Sequence, residues 1–361
     1  MAVVTFFVAA NLIMGRNGMP LGGDTYTTYQ PWIKEVLSIG PLQFAQNQHF
    51  VEVLYPIIAS IPAYFGVAIT TVEIYFPAIL AAATVAATAL LAREFKDSKV
   101  AVLSVAFAAG WFAIYRMGAD FHGQFLAFPL LLVASTLLLR IRKTTNLLRD
   151  ITLFAVLVGL ATLAHVETTA VFVAVWVVTF LAFELRSAAH KRRLLIVLAV
   201  ALLISIPVLP SAMAVFPAIF SCGASCRPYP VYPPYWLEVL GPEAALAIFG
   251  LALCVNLVRK PGCEPITKLV LTWSLFAIVV GSLGYLFPWF DLGYSDRTLL
   301  MLPIPLLSAI STVWLIEKGG FFARHPNLIM LLIVIIPAVT APAVFVYIVP
   351  ARFRYYPPYI P

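Results

Sequence analysis

The sequence carries one short motif whose residue types could bind a metal ion, Asp120-Phe121-His122 within RMGADFHGQF. In an extended loop, residues two apart point to the same side of the chain, so this carboxylate and imidazole could grip one ion. A carboxylate with an imidazole suits Mn²⁺, whereas a carboxylate with water ligands suits Mg²⁺. The alternative is an aspartate that accepts hydrogen bonds in its loop and a histidine that packs.

A second isolated carboxylate, Asp24, lies in LGGDTYTTYQPW, between two glycines and a cluster of hydroxyl and aromatic side chains. A carboxylate placed in this way can act as a general base toward a hydroxyl or amide group. The alternative is an ordinary loop acid that is solvated. The segments that position both motifs follow from the rest of the sequence.

The composition is that of a membrane protein. Hydrophobic residues make up 62% of the chain and charged residues 11%, and the mean hydropathy is +0.97. Apolar runs long enough to span a bilayer as helices repeat from end to end. These runs do not alternate polar with apolar residues, which excludes a membrane β-barrel and leaves helices.

The basic residues lie mainly in five joints between apolar runs, which predicts that these joints are cytoplasmic. The joints poor in Lys and Arg are predicted to be external, and they are richer in Tyr, Trp and Pro. The net charge of +7 is therefore not a nucleic-acid-binding patch. The cytoplasmic joints hold Arg93, Lys96, Lys99, Arg140, Arg142, Lys143, Arg149, Arg186, Lys191, Arg192, Arg193, Arg259, Lys260, Lys268, Lys318 and Arg324.

The resulting fold class is an all-α polytopic membrane protein with about 11 transmembrane helices, in a single domain over residues 1–361. The first external loop covers residues 15–71, and a Pro- and Tyr-rich external loop covers 216–238. The predicted spans are residues 1–14, 72–92, 100–115, 124–139, 151–164, 168–184, 194–215, 240–258, 269–287, 298–316 and 328–349.

Residues 51–69 are apolar enough to span, but a span there would invert the predicted side of every later joint. Pro56 and Pro62 interrupt the stretch. Glu52 would cost about 2.5–3.5 kcal/mol at the bilayer centre. We therefore expect an amphipathic or dipping helix at the external surface of the membrane.

In this topology most of the unusual ionisable residues fall on the external side. Ionisable residues at or in a membrane are candidates for function because lipid makes them costly. The alternative for any one of them is a solvated loop charge, but their concentration on one side favours a shared site. The candidates are Asp24, Asp120, His122, His165, Glu167, Asp291, Asp296 and Arg297.

The order of these features resembles the GT-C superfamily of polyprenyl-phosphate-dependent glycosyltransferases. A short first helix is followed by a loop with an early Asp and then Tyr and Trp, an apolar LYP helix, a helix ending in LLAREF, and a second loop with an acid motif after an Arg. The pattern is nearest to the membrane domain of oligosaccharyltransferase catalytic subunits, whose second loop carries D-x-D, E-x-D or D-x-H. The resemblance is best over residues 1–140 and implies a GT-C-like fold.

The resemblance also implies a role for each matching residue. Asp24 and Asp120 are the implied catalytic carboxylates, and with His122 they are the implied ligands of a divalent cation, Mn²⁺ or Mg²⁺. Arg116 matches an Arg before the second-loop pair and Arg297 matches, more loosely, an Arg that opens a late helix; both would contact phosphate. Further substrate contacts are expected from His165, Glu167, Tyr235 and Trp236, for which a polar pair at a helix turn and an interfacial aromatic belt are the alternatives.

Two departures from oligosaccharyltransferase subunits bear on the acceptor. In those subunits the first-loop Asp stands in a D-P-W/Y context, whereas here Pro31-Trp32 follows Asp24 by seven residues. Those subunits also continue into a soluble domain that carries a W-W-D motif, and W-W-D does not occur in this sequence. We therefore expect a membrane glycosyltransferase that moves a sugar from a polyprenyl-phosphate-linked donor, such as a dolichyl phosphate, to an acceptor on the external face.

Two other functions remain open at this point. One is an oligosaccharyltransferase-like catalytic subunit that acts with a separate or missing soluble domain, and the other is a transporter or a non-catalytic membrane subunit of a complex. Inverted repeats and charges at mid-depth, which are typical of transporters, are not evident. The expected partners are a lipid-linked sugar donor, membrane lipids, an acceptor protein or glycolipid and possible partner subunits, with no nucleic acid. The expected location is the cell membrane, with the active site on the external face.

Overall fold

The computed structural model describes residues 1–13, 25–141, 143–184, 191–205, 243–286, 298–318, 320 and 324–327. In these ranges the regular structure is entirely helical, as the apolar runs predict. The helices are α1 (Ala2–Ile13), α2 (Gln30–Ile39), α3 (Pro41–Asn47), α4 (Leu54–Tyr64), α5 (Ile69–Ala92), α6 (Ser98–Gly110), α7 (Phe112–Asp120), α8 (His122–Arg140), α9 (Leu147–Ala164), α10 (Val166–Thr179), α11 (Lys191–Ser205), α12 (Ala244–Val258), α13 (Pro265–Leu286) and α14 (Ile304–Lys318), with π-helical turns at Thr25–Tyr29 and Phe180–Glu184.

Among the described residues, five helices are long and apolar enough to cross a membrane. At 1.5 Å per residue they are about 27–36 Å long, which matches a hydrocarbon core of about 30 Å. The chain is therefore an integral membrane protein. The number of 11 spans stays a prediction. The five segments are Ile69–Ala92, His122–Arg140, Leu147–Ala164, Val166–Phe183 and Pro265–Ser282.

Large apolar side chains are exposed in rows on these helices. Leu153, Val156 and Leu160 follow one another along α9 at steps of three and four residues, and Leu275 and Val279 do so on α13. Residues at these steps lie on one face of a helix. Water-soluble proteins rarely expose large apolar patches, whereas such faces contact lipid in a bilayer.

The stretch over 51–69 contains the short helix α4 between turns. α4 has 11 residues, which gives about 16 Å of helix, roughly half of the hydrocarbon core. It packs against α2 and α5. A helix of this length does not span a bilayer, and its place at the external surface stays a prediction.

The span predicted over 100–115 is divided between two helices. α6 ends at Gly110 and α7 begins at Phe112, because Trp111 between them is extended, with φ −69° and ψ 116°. α7 then continues to Asp120, where the sequence predicted an extended loop. That prediction was wrong, because Phe121 alone separates α7 from α8.

The five basic joints meet at one end of the helix bundle. They belong to different loops, yet side chains and backbone groups of these loops contact one another directly. The joints therefore lie on a common side, as the charge bias predicts, and the identity of that side as cytoplasm stays a prediction. The contacts are Arg140 Nε to Glu94 Oε1 (2.6 Å), Lys96 N to Glu264 Oε1 (3.3 Å), Lys99 Nζ to Glu317 Oε1 (3.1 Å) and Arg193 Nη1 to the Thr144 carbonyl oxygen (3.4 Å).

The opposite end of the bundle holds the candidate residues. α5 packs against α1, α6 and α8, and α8 also packs against α9. The N-termini of α5 and α8 and the C-terminus of α9 lie away from the basic joints. This arrangement brings Glu73, His122 and His165 to one end.

Candidate functional site

His122, the first residue of α8, is completely buried between two tyrosine rings. Tyr29 is stacked on the imidazole with 4.6 Å between ring centroids, and Tyr55 lies against it at 4.8 Å. Nε2 of His122 donates to the Gly118 carbonyl oxygen at 3.0 Å. Because a carbonyl oxygen only accepts, Nε2 carries a proton.

The other ring nitrogen of His122 faces the carboxyl group of Glu73. Nδ1 lies 2.9 Å from Glu73 Oε2, and neither side chain has exposed surface. Glu73 Oε1 accepts a hydrogen bond from the Tyr55 hydroxyl at 3.3 Å. The Nδ1–Oε2 contact has the distance of an ion pair but lacks hydrogen-bond geometry, and neither atom has another hydrogen-bond partner among the described residues.

Tyr29 connects the first loop to the start of α8. Its phenol oxygen accepts the backbone N–H of Gly123 at 3.1 Å, one of the N–H groups that a helix start leaves without a partner. Tyr29 ends the turn Thr25–Tyr29, which leads directly into α2. The turn lies near Glu73: burial first, and then the negative charge of Glu73, raise the pKa of Tyr26.

Gly123 allows α9 to approach the start of α8 closely. A Cβ atom on Gly123 would lie 2.8 Å from the Ala164 carbonyl oxygen, and 3.7 Å from both His165 Cδ2 and the Tyr29 phenol oxygen. The missing side chain thus lets the turn between α9 and α10 pack against the cluster around His122.

His165 is the N-cap of α10 and also contacts the first loop. Nδ1 accepts the backbone N–H of Thr168 at 3.2 Å, so the ring proton lies on Nε2. Nε2 lies 3.1 Å from Glu52 Oε1, at ion-pair distance. Three connections are therefore gathered at this end of the bundle: α5 to α8, the first loop to α8, and the first loop to α10.

The structure describes some of the other candidate residues and not others. Arg116, on α7, has Cζ 4.8 Å from the ring centroid of Phe121. Glu167 is half-buried in the first turn of α10. Asp120 is the last residue of α7, and its side chain lies outside the described part of the chain. Asp24, Tyr235, Trp236, Asp291, Asp296 and Arg297 lie outside the described residues.

The sequence motifs did not single out Glu73, Tyr29 or Tyr55, although a signal for Glu73 was present. This glutamate falls inside the predicted span 72–92, and an ionisable residue in an apolar span is a candidate for function by default. The tyrosines gave no comparable signal, because the first loop is rich in aromatic residues. The described residues contain no group of three or more His, Cys, Asp or Glu side chains that could hold a metal ion.

No protein-family model matches the chain, and no curated protein matches it by sequence. Solved structures match it by fold. Archaeal oligosaccharyltransferase AglB from Archaeoglobus fulgidus, in complex with an inhibitory peptide and a dolichol-phosphate, aligns with a TM-score of 0.64 at 12% identity, over 96% of this chain and 55% of that one. The Archaeoglobus fulgidus oligosaccharyltransferase complex with Zn and sulfate gives 0.63 at 14% identity, over 96% and 53%.

The apo form of that Archaeoglobus fulgidus enzyme gives a TM-score of 0.60 at 13% identity, over 96% of this chain and 55% of that one. This chain spans about half the length of the structures that it matches. Identities this low make the likeness one of fold. The predicted resemblance is confirmed at that level: the chain has the fold of the part of archaeal oligosaccharyltransferase that it matches.

Proposed function

We propose that the chain is a membrane glycosyltransferase of the oligosaccharyltransferase type. The observation that carries the proposal is the shared fold over 96% of the chain. The enzyme takes a sugar from a polyprenyl-phosphate-linked donor and transfers it to an acceptor at the external face of the membrane.

The position of the polar cluster supports an enzyme that acts at a membrane surface. Glu73, His122 and His165 lie at the bundle end away from the basic joints. A lipid-linked donor carries its phosphate and sugar at the surface while its tail stays in the bilayer. A site at one end of the bundle meets such a substrate, whereas transporter sites lie near mid-depth.

The solved relatives support a donor and an acceptor class. The AglB structure holds a dolichol-phosphate and an inhibitory peptide. In this proposal the donor is a dolichyl or related polyprenyl phosphate, and the acceptor is a protein. We expect Tyr235 and Trp236 to cover the sugar or the lipid, and His165 and Glu167 to contact the substrate.

In the proposed reaction, a nitrogen or oxygen atom of the acceptor attacks C1 of the donor sugar. The bond from this atom to C1 forms while the bond from C1 to the prenyl phosphate oxygen breaks, and the electron pair leaves on that oxygen. Asp24 orients the acceptor and takes its proton. Arg116 and Arg297 bind the phosphate as its negative charge grows. Phosphate is a good leaving group, so a general acid is not required.

Asp24 and Asp120 offer the oxygen ligands that Mn²⁺ and Mg²⁺ prefer. A divalent cation held by these carboxylates would supply Lewis-acid stabilisation of the phosphate. His122 fits as a third ligand only through Nδ1, because Nε2 donates to the Gly118 carbonyl oxygen, as is usual for metal-binding histidines. Nδ1 faces Glu73, so in the arrangement that the structure shows His122 is not placed to bind the cation.

Sugar transfer in proteoliposomes tests the proposal. The purified chain is supplied with polyprenyl-phosphate and polyprenyl-diphosphate sugars and an acceptor peptide, with and without Mn²⁺. We expect transfer by the wild type and its loss in Asp24→Asn. Glu317→Gln is the matched control, because this half-exposed acid lies among the basic joints and its loss leaves the site intact.

The outcomes separate the competing functions. Transfer that Asp24→Asn abolishes and Glu317→Gln preserves supports the enzyme. Bound lipid-linked sugar without transfer from any donor contradicts an active enzyme and supports a subunit that depends on a partner. The absence of both binding and transfer favours a transporter.

A further inference from the structure

We propose that Glu73 is a positioning residue that clamps the first loop to the start of α8. It thereby sets the separation between the segment that follows Asp24 and the segment that contains Asp120. The inference rests on the proposed function for its catalytic meaning. The clamp between the two segments does not itself depend on whether the chain transfers a sugar.

The first step is the burial of Glu73. The carboxyl group has no exposed surface, and it lies in α5, a 24-residue apolar helix. An ionisable side chain in such a helix is costly unless it is paired. Among the described residues its hydrogen-bond and ion-pair partners are His122 and Tyr55. A leucine would be less costly here, so the stability of α5 does not explain the glutamate.

The second step is the way Glu73 fixes His122. The imidazole is held on one side by the Gly118 carbonyl oxygen and on the other by Glu73 Oε2. Each ring nitrogen therefore faces an oxygen atom of a different helix, Nε2 the Gly118 carbonyl oxygen on α7 and Nδ1 the Glu73 carboxyl group on α5.

The third step connects this ring to the first loop. Tyr29 is stacked on His122 and accepts the N–H of Gly123, and Tyr55 contacts both His122 and Glu73. The turn Thr25–Tyr29 begins directly after Asp24, and His122 follows Asp120 by two residues. The two segments therefore meet at the His122 ring, which Glu73 contacts.

Two substitutions separate positioning from simple packing. Glu73→Leu fills a similar volume and removes both contacts. Glu73→Gln retains an acceptor for the Tyr55 hydroxyl and a donor for a neutral Nδ1, so it is the conservative rescue. Thr84→Val is the matched control, because Thr84 is also fully buried on α5 and donates only to the carbonyl oxygen of Leu80 in its own helix.

Hydrogen exchange of the full chain in detergent micelles, read by mass spectrometry, tests the clamp without any substrate. In Glu73→Leu we expect exchange to rise at least about tenfold in both segments, residues 25–32 and 118–124. The reason is that the buried His122 has lost its ion-pair partner. Glu73→Gln and Thr84→Val should stay within about twofold of wild type in both segments. Unchanged exchange in Glu73→Leu, or equal changes in Thr84→Val, would overturn the proposal.

Transfer kinetics distinguish a positioning role from a packing role, because loss of packing alone is not expected to lower kcat selectively. We expect Glu73→Leu to lower kcat at least about tenfold with little change in KM for the lipid-linked donor, because misplaced reacting groups affect the transition state. Glu73→Gln should restore most of kcat. A rise in KM alone would overturn the positioning role. If the wild type shows no transfer, the exchange result still decides whether the clamp exists, so failure of the proposed function and failure of this inference are distinct.

Discussion

Nε2 of His165 lies 3.1 Å from Oε1 of Glu52, a residue whose backbone is left-handed with φ 54°. His49 and Phe50 just before it also have positive φ, at 50° and 62°. Such backbone costs about 1–3 kcal/mol for a residue with a side chain and persists only where the surroundings hold it. His165, itself fixed as the N-cap of α10, is one group that does so.

This contact can be separated from the cap by mutation. His165→Asn keeps an N-cap side chain for Thr168 and removes the contact with Glu52, so we expect it to lower the free energy of unfolding by about 1–2 kcal/mol. His165→Ala also loses the cap and should cost roughly 1 kcal/mol more. Unfolding of the three proteins in detergent micelles measures both steps. Equal stability of His165→Asn and wild type would show that the contact does not hold the loop.

A second prediction concerns the close approach at Gly123. The Cβ atom of Gly123→Ala would lie 2.8 Å from the Ala164 carbonyl oxygen, which is backbone and cannot turn away. We expect a loss of about 1–3 kcal/mol from overpacking. Gly159→Ala is the control, because its Cβ would meet only Ile204 Cγ2 at 3.6 Å, and alanine favours a helix interior by about 0.5–1 kcal/mol. Equal unfolding temperatures for the two variants would argue against the contact.

The sequence predicts the helical class and the common side of the basic joints, because apolar length and Lys/Arg placement are one-dimensional signals. The pairs Arg140–Glu94 and Lys99–Glu317 agree with a common side for these joints. The division of α6 from α7 was not predictable in the same way. It depends on the extended backbone of Trp111, whose side chain is buried against Phe128. Packing of this kind produces no periodic pattern in the sequence.

The site is harder to predict than the fold, since its residues come from separate helices. The D-x-H spacing singled out His122, but it suggested that both side chains share a face in a loop. Instead Asp120 ends one helix and His122 starts the next. The position of Glu73 opposite His122 follows from the packing of α5 on α8, which no local pattern encodes.

A third prediction tests the hydrogen bond of the Tyr29 hydroxyl. Tyr29→Phe preserves the ring stacked on His122 and removes the acceptor of the buried Gly123 N–H. We expect a loss of about 1–3 kcal/mol, the usual cost of leaving a buried donor without a partner. Tyr75→Phe is the control, because the Tyr75 side chain is 46% exposed and its hydroxyl can reach solvent or headgroups. A difference below about 0.5 kcal/mol between the two variants would count against the bond.

The fourth prediction concerns which side of the membrane each bundle end faces. Lys260 lies among the basic joints and His49 lies in the first loop, and both are exposed. With the four native cysteines replaced by serine, we expect a membrane-impermeant maleimide to label His49→Cys in intact cells and Lys260→Cys only after permeabilisation. The reason is that basic joints are retained in the cytoplasm. Labelling of Lys260→Cys in intact cells would invert the topology and move the cluster around His122 to the cytoplasmic face, where an external transferase could not use it.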